Sequence, residues 1–261
     1  MSNFVSCICV TYNRRRFLPY LLRIYSQQEY PASKRELVIL DDSPESNQDI
    51  IDDFILKNPK ENIKYHYQKE KIPLGKKRNM INKLTKGDII VNFDDDDYYP
   101  PDKVKHLVKM MNQRKAEVCG SSEIHIYFTQ TQQMMVSGPF SSTHSTNGTI
   151  AYTRNWLKGG DNIFNKTTPR SYDDNAMKAE EKKFLDDFSN PILQIESLKT
   201  ILCIAHGENT VDKYPMRQNM RPSKHKLKDI VKDKVLYDFY ISLGKEYNDK
   251  FNEQQALELL K

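Results

Sequence analysis

Apolar runs too short for helices, and too continuous for half-exposed strands, set the frame of this chain. Residues 4–10 are nearly unbroken in this sense, and Leu37-Val38-Ile39-Leu40 and Asp88-Ile89-Ile90-Val91-Asn92-Phe93 repeat the character. Such runs are expected of strands covered on both faces. Residues 63–67 predict a further strand. Between the runs, apolar side chains recur at helical spacing: Phe17, Leu21, Ile24 and Tyr25, then Ile50, Ile51, Phe54 and Ile55. Residues 76–84 form a third helical segment, and Val104, Leu107, Val108 and Met111 mark a fourth after Pro100-Pro101. This alternation predicts an α/β fold, a mostly parallel sheet flanked by helices.

In such a sheet, ligands bind beyond the carboxyl ends of the strands. The first run exits into Thr11-Tyr12-Asn13, the second into Asp41-Asp42-Ser43, and the fourth into Asp94-Asp95-Asp96-Asp97. Like charges repel, so four carboxylates at one strand exit point to a cation that collects them. Oxygen ligands suit Mg2+ or Mn2+, hard ions that hold phosphates. A solvated acidic turn is the alternative reading of the same residues.

Size and composition bound the rest. The chain's 261 residues admit one large α/β domain with a small C-terminal appendage. A content of 38% hydrophobic and 29% charged residues argues against disorder. No apolar stretch approaches the roughly 20 residues that span a bilayer, and the start of the chain lacks a signal peptide's basic lead-in. Cys7, Cys9, Cys119 and Cys203 lack metal-finger spacing and read as reduced core thiols of a cytoplasmic protein. A net charge of +5 permits anionic ligands without implying a nucleic-acid partner. No G-x-G-x-x-G follows the first run, which excludes a dinucleotide-dependent oxidoreductase, and Gly75-Lys76-Lys77 lacks the flanking residues of a phosphate-binding loop.

After residue 115 the pattern changes. Residues 116–128 and Met134-Met135-Val136 read as strands joined by a hairpin, residues 149–152 as a strand, 176–188 as a helix and 200–206 as a last strand. Residues 217–234 are basic, opposed only by Asp229 and Asp233, and 235–260 carry apolar positions at helical spacing. The expected organisation is a domain over 1–215, made of a nucleotide-binding half (1–115) and an acceptor half (116–215), followed by a basic helical extension over 216–261.

Taken in order, Val10-Thr11-Tyr12-Asn13-Arg14, Leu40-Asp41-Asp42-Ser43, Gly75 with Arg78-Asn79, and Gly87-Asp88-Ile89-Ile90 leading to Phe93-Asp94-Asp95-Asp96-Asp97 and Pro101-Asp102 resemble the family 2 glycosyltransferases. The likeness covers residues 3–115 well and runs more thinly to about residue 210. It implies a GT-A fold, a UDP-sugar donor, a divalent metal (Mn2+ or Mg2+) and transfer with inversion to a hydroxyl acceptor on a glycan, lipid or protein. By the same resemblance Thr11, Tyr12 and Asn13 hold the nucleoside, Asp41 accepts from the uracil N–H, and Arg78 lies near the base or diphosphate. Lys76 and Lys77 read as a solvated helix face. The family's Asp-x-Asp falls on Asp94-Asp95-Asp96: Asp96 ligates the metal, Asp94 or Asp95 meets the ribose or a metal-bound water, and Asp97 orients its neighbours.

The resemblance places the base that takes the acceptor proton on Glu181, with Glu180 as the near alternative; two solvated helix glutamates are the bland reading. Glutamate here replaces the family's aspartate and reaches one methylene further. His206 falls where a late histidine adds a metal ligand, with Asn209-Thr210 near the diphosphate. Trp156 offers a face to a sugar or packs in the core. Residues 138–148 read as a mobile loop, and Gly159-Gly160-Asp161-Asn162 as an acceptor contact. The basic 217–234 stretch reads as a solvated surface, as peripheral contact with an anionic membrane, or as a segment that binds an anionic glycan or closes over the diphosphate. The competing functions are an inactive GT-A carbohydrate-binding module and a sugar nucleotidyltransferase. The absence of glycine between Thr11 and Phe17 speaks against the second.

Overall fold

A computed structural model describes residues 3–159 and 169–258. Strands β1 (Val5–Thr11), β2 (Arg35–Asp41), β3 (Ile63–Tyr67) and β4 (Ile89–Asn92) alternate with helices α1 (Leu18–Ser26), α2 (Gln48–Lys57), α3 (Leu74–Leu84) and α4 (Lys103–Arg114). β1 is parallel to β2 and β4, as their unbroken apolar runs predict, and the less buried β3 is parallel to β2 at the sheet edge. The side chains of β1 divide with period two: Val5, Cys7 and Cys9 join one buried cluster, Ile8 and Val10 another. Helices on each face complete these clusters, Leu21, Leu22, Val104 and Leu107 on the first and Ile81 on the second. All four cysteines are free and buried.

The second half departs from its expected elements in two places. Residues 116–128 are two strands, β5 (Val118–Gly120) and β6 (Ile124–Phe128), in different sheets. Ser121 breaks the run because its N–H bonds to Ser145 Oγ at 3.1 Å and Thr149 Oγ1 at 3.0 Å instead of a strand. β6 pairs with β7 (Gln133–Ser137) as the expected hairpin. β8 (Ala151–Thr153) lies antiparallel between β4 and β5, and leads into α5 (Arg154–Leu157). The helix expected over 176–188 shrinks to α6 (Glu181–Phe184). Ala179 before it and Asp186, Asp187 and Phe188 after it have φ of 51–57°, the left-handed region, which ends the helical ladder on both sides.

β9 (Leu193–Gln194) completes a seven-stranded sheet of order β3-β2-β1-β4-β8-β5-β9. β10 (Leu202–Ala205), β6, β7 and β11 (Arg221–Pro222) form a second, four-stranded sheet. After α7 (Leu227–Ile230), helix α8 (Lys234–Glu258) sets Leu236, Phe239, Tyr240 and Leu243 into the cluster that holds β1. Phe239 stacks on Tyr20 at 3.6 Å, and Asp233 pairs with Arg23 at 2.7 Å, so residues 227–243 share the main core. Among the described residues no helix is long and apolar enough to cross a membrane.

Candidate active site

The parallel register puts the exits of β1, β2 and β4 on one sheet edge: Thr11 pairs with Asp41, and Ile8 with Asn92. The acidic run leaves β4 there and is stitched to β10. Tyr98 and Leu202 exchange backbone bonds of 3.0 and 2.8 Å, and Asp97 Oδ1 accepts from Ile204 N at 2.7 Å. A cavity of about 380 Å³ opens over this edge, lined by Thr11, Tyr12, Arg78, Asp94, Asp95, Asp96, Glu180 and Glu181 among others.

The four carboxylates point to different partners. Asp94 pairs with Arg78 at 2.9 Å, and Thr11 Oγ1 donates to Asp95 at 2.5 Å. Asp96 Oδ2 meets His206 Nε2 and Asn209 Nδ2, each at 3.1 Å. Burial and the adjacent Asp96 push the Asp95 carboxyl above its ordinary range, whereas His206 holds Asp96 down against its burial. His206 Nδ1 accepts from Glu208 N at 3.2 Å, so in the neutral ring the proton sits on Nε2, facing Asp96.

Two glycines let the chain close over this floor. A Cβ on Gly148 would lie 2.7 Å from Asp94 Oδ2, and one on Gly75 only 1.8 Å from Asp173 O. Gly75 N also bonds Ala176 O at 2.9 Å, which seats the segment ahead of Glu180-Glu181 on the start of α3. The two glutamates then part company. Glu180 is buried and pairs with Arg78 Nε at 3.1 Å. Glu181 lines the cavity without such an ion pair, and burial together with the Glu180 charge raises its carboxyl to about 7.

Not every expected residue reaches the cavity. Asp41 is fully buried, and its oxygens accept four hydrogen bonds: from Ser43 N at 2.8 Å, Asn47 Nδ2 at 2.7 Å, Tyr65 OH at 2.6 Å and Ser43 Oγ. That fills a carboxylate's usual acceptor positions, so a base N–H would have to displace one of them. Asn13 adopts φ 54° and donates its N–H to Ser43 Oγ at 2.7 Å, shaping the turn outside the cavity lining. Trp156 is buried with the Arg170 guanidinium 3.5 Å over its ring, which covers the face a sugar would need. Lys77 is buried, not solvated: it pairs with Asp42 and donates to Thr11 O at 3.0 Å. Lys76 alone is exposed. In the loop read as mobile, Ser145 is buried and fixed to Ser121, as is Thr149 just after it, while Thr146, Asn147 and Gly148 line the cavity. Beyond Gly159, the 159–162 segment lies outside the described residues.

Arg14, Lys77, Asn147 and Lys213 also line the cavity and were missed by sequence reasoning. Arg14 lay inside the motif Thr11-Tyr12-Asn13-Arg14, where its charge beside an acidic floor was the available signal; Lys213 carries none. No group of three or more His, Cys, Asp or Glu side chains able to cage a metal exists among the described residues.

The fold and this edge define a GT-A architecture. The S. aureus TarS fragment 1-349, solved in complex with UDP-GlcNAc, matches with a TM-score of 0.58 at 19% identity, over 79% of this chain and 60% of that one. The mannosyltransferase PcManGT from Pyrobaculum calidifontis, in complex with GDP-Man and Mn2+, matches with a TM-score of 0.61 at 13% identity, over 80% of this chain and 59% of that one. This chain therefore spans about 60% of the length of these two structures. Nothing among curated protein sequences matches it. The family description "Glycosyl transferase family 2" matches residues 6–177, and the chain belongs to that family.

Proposed function

We propose that the protein transfers a sugar from a UDP-sugar to a hydroxyl acceptor, with inversion and with a divalent cation. The observation that carries this reading is a single cavity that joins the acidic run to Glu181, whose carboxyl is held near 7. A base works best when its pKa lies close to the working pH. Glu181 takes the acceptor hydroxyl proton while the acceptor oxygen attacks the anomeric carbon, and the nucleotide leaves from the opposite side. Glu180 cannot share that task while it neutralises Arg78, so its role is to seat the segment. The complexes of TarS with UDP-GlcNAc and of PcManGT with GDP-Man support a nucleotide-sugar donor.

Asp96 and His206, which meet at 3.1 Å, would hold a divalent ion, an oxygen-ligated cation of the kind that commonly binds phosphates. A histidine ligand favours Mn2+. When bound, that ion neutralises charge on the departing diphosphate. Ligation through Nε2 requires the ring proton to move to Nδ1, so the Glu208 N–H must release it. Thr11 and Tyr12 lie on the nucleoside side, and Arg78 acts as a strut between Asp94 and Glu180. Asp41 fixes the turn after β2 through Ser43 and Asn47, and through that turn it would act on base choice. Exposed Lys224, Lys226, Lys228 and Lys232 support peripheral contact with an anionic membrane, near a lipid-linked acceptor. Residues 1–115 supply the nucleoside side of the site, and 116–215 supply the acceptor base Glu181 together with His206.

The test is UDP release from a panel of UDP-sugars with Mn2+, with and without simple glycoside acceptors. Release by the wild type and its loss in Glu181→Gln support the reading. No release with any sugar, by a folded chain that also fails to bind UDP, would remove it.

A further inference from the structure

Five cationic side chains line the cavity: Arg14, Lys77, Arg78, Lys178 and Lys213. Three are already engaged. Lys77 pairs with Asp42, Arg78 with Asp94 and Glu180, and Arg14 donates to Glu208 O while lying 4.0 Å from Asp95 and Asp96. Lys178 lines the cavity but is exposed to solvent. Lys213 differs from all of these. It is half-buried, follows the His206–Thr210 turn back into the cavity, and its ammonium has no hydrogen bond or ion pair among the described residues. Asp94, Asp96 and Asp97 act on it only through space.

An ammonium withdrawn from water without a hydrogen-bond partner is costly. The Asp94 and Asp96 charges lower that cost without closing on it. A divalent cation at Asp96 would cancel much of their field, and the next anion within reach would be the diphosphate. We propose that Lys213 is a catalytic residue that binds the β-phosphate of the donor and stabilises it as it leaves. This inference rests on the proposed donor chemistry and adds a contact to it. As the bond between the anomeric carbon and the β-phosphate oxygen breaks, its electron pair passes to that oxygen. The acceptor oxygen bonds the anomeric carbon, its proton goes to Glu181, and Lys213 donates a hydrogen bond to the growing negative charge without giving up a proton.

UDP and UMP discriminate this role from a structural one, because they differ by the phosphate concerned. By calorimetry with Mn2+, Lys213→Met in the full chain should bind UDP about 10- to 100-fold more weakly than the wild type, the worth of one charge-assisted hydrogen bond. UMP affinity should stay within about threefold, which also shows that the variant is folded, and Lys213→Arg should recover most of the UDP affinity. UDP binding unchanged in Lys213→Met, or UDP and UMP weakened equally, would overturn the assignment while leaving the transferase reading standing. A wild type that binds neither nucleotide would instead overturn the donor reading on which it rests.

Discussion

Replacing Glu181 by glutamine removes the acceptor base while keeping side-chain size, and the pH profile of the wild type shows whether that carboxylate is the one at work. With its carboxyl at about 7, Glu181 is roughly one-tenth ionised at pH 6 and nine-tenths at pH 8, so kcat/KM should rise about tenfold between them. An ordinary glutamate, titrating near 4.5, would be almost fully ionised at both and give a flat profile. Two causes raise the group, burial and then the Glu180 charge. Glu180→Gln should therefore move the profile toward acid, because it deletes the like charge and frees Arg78 to act on Glu181. Glu181→Gln should cut kcat by about 10² or more and leave UDP affinity unchanged. The same shift bears on stability. Between 4.5 and about 7 the folded chain holds a proton that the unfolded chain has lost, so this group's contribution falls as pH rises through that window. The stability advantage of Glu181→Gln should grow from pH 4.5 to about 7 and then level off. Turnover of UDP-sugar that is flat from pH 6 to 8, or undiminished in Glu181→Gln, would refute the assignment of the base.

Further outcomes follow from buried polar groups and from the surface. Lys103 is fully buried and donates to Asn92 O at 2.6 Å and Gly148 O at 3.0 Å, so Lys103→Met should cost about 2–4 kcal/mol in urea unfolding; equal stability would show that the two carbonyls do not need it. Burial lowers the Lys103 ammonium to about 7, so between about 7 and 10.5 the unfolded chain binds more protons, and this group's contribution to stability should increase with pH there and vanish in the variant. Asp41→Ala strips the acceptor from Ser43, Asn47 and Tyr65; a loss of about 2–4 kcal/mol with weaker UDP binding and relaxed choice between UDP and GDP is expected, and an unaltered preference would remove Asp41 from base selection. Sedimentation with anionic vesicles should fall when Lys226, Lys228 and Lys232 are changed to glutamate, and equal binding would eliminate the membrane contact.

Local sequence revealed the nucleotide half because three of its four strands, β1, β2 and β4, are buried on both faces, so Val5 to Thr11 and Ile89 to Asn92 announce themselves without knowledge of their neighbours. The acidic exit was equally plain, and Asp96 and His206, 110 positions apart, do meet at 3.1 Å. What escaped depends on tertiary contacts. The 176–188 segment has helical spacing, yet the left-handed Ala179, Asp186, Asp187 and Phe188 cut it to one turn, while Phe184 is held by stacking on Tyr172 at 4.3 Å. Lys77 looks like any surface lysine until Asp42, 35 residues earlier, is seen buried beside it. The spacing of residues 235–260 forecast a helix, but not that Phe239 would dock on Tyr20 and, through Phe17, back the ring of His206.

The most direct measurement is calorimetric titration of UDP into the wild type and Asp96→Asn, each with Mn2+ and with a chelator. Saturable UDP binding that needs Mn2+ in the wild type and is lost in Asp96→Asn is the expected result. Binding that ignores both the ion and the substitution would place the nucleotide away from the acidic edge of the sheet and contradict the account.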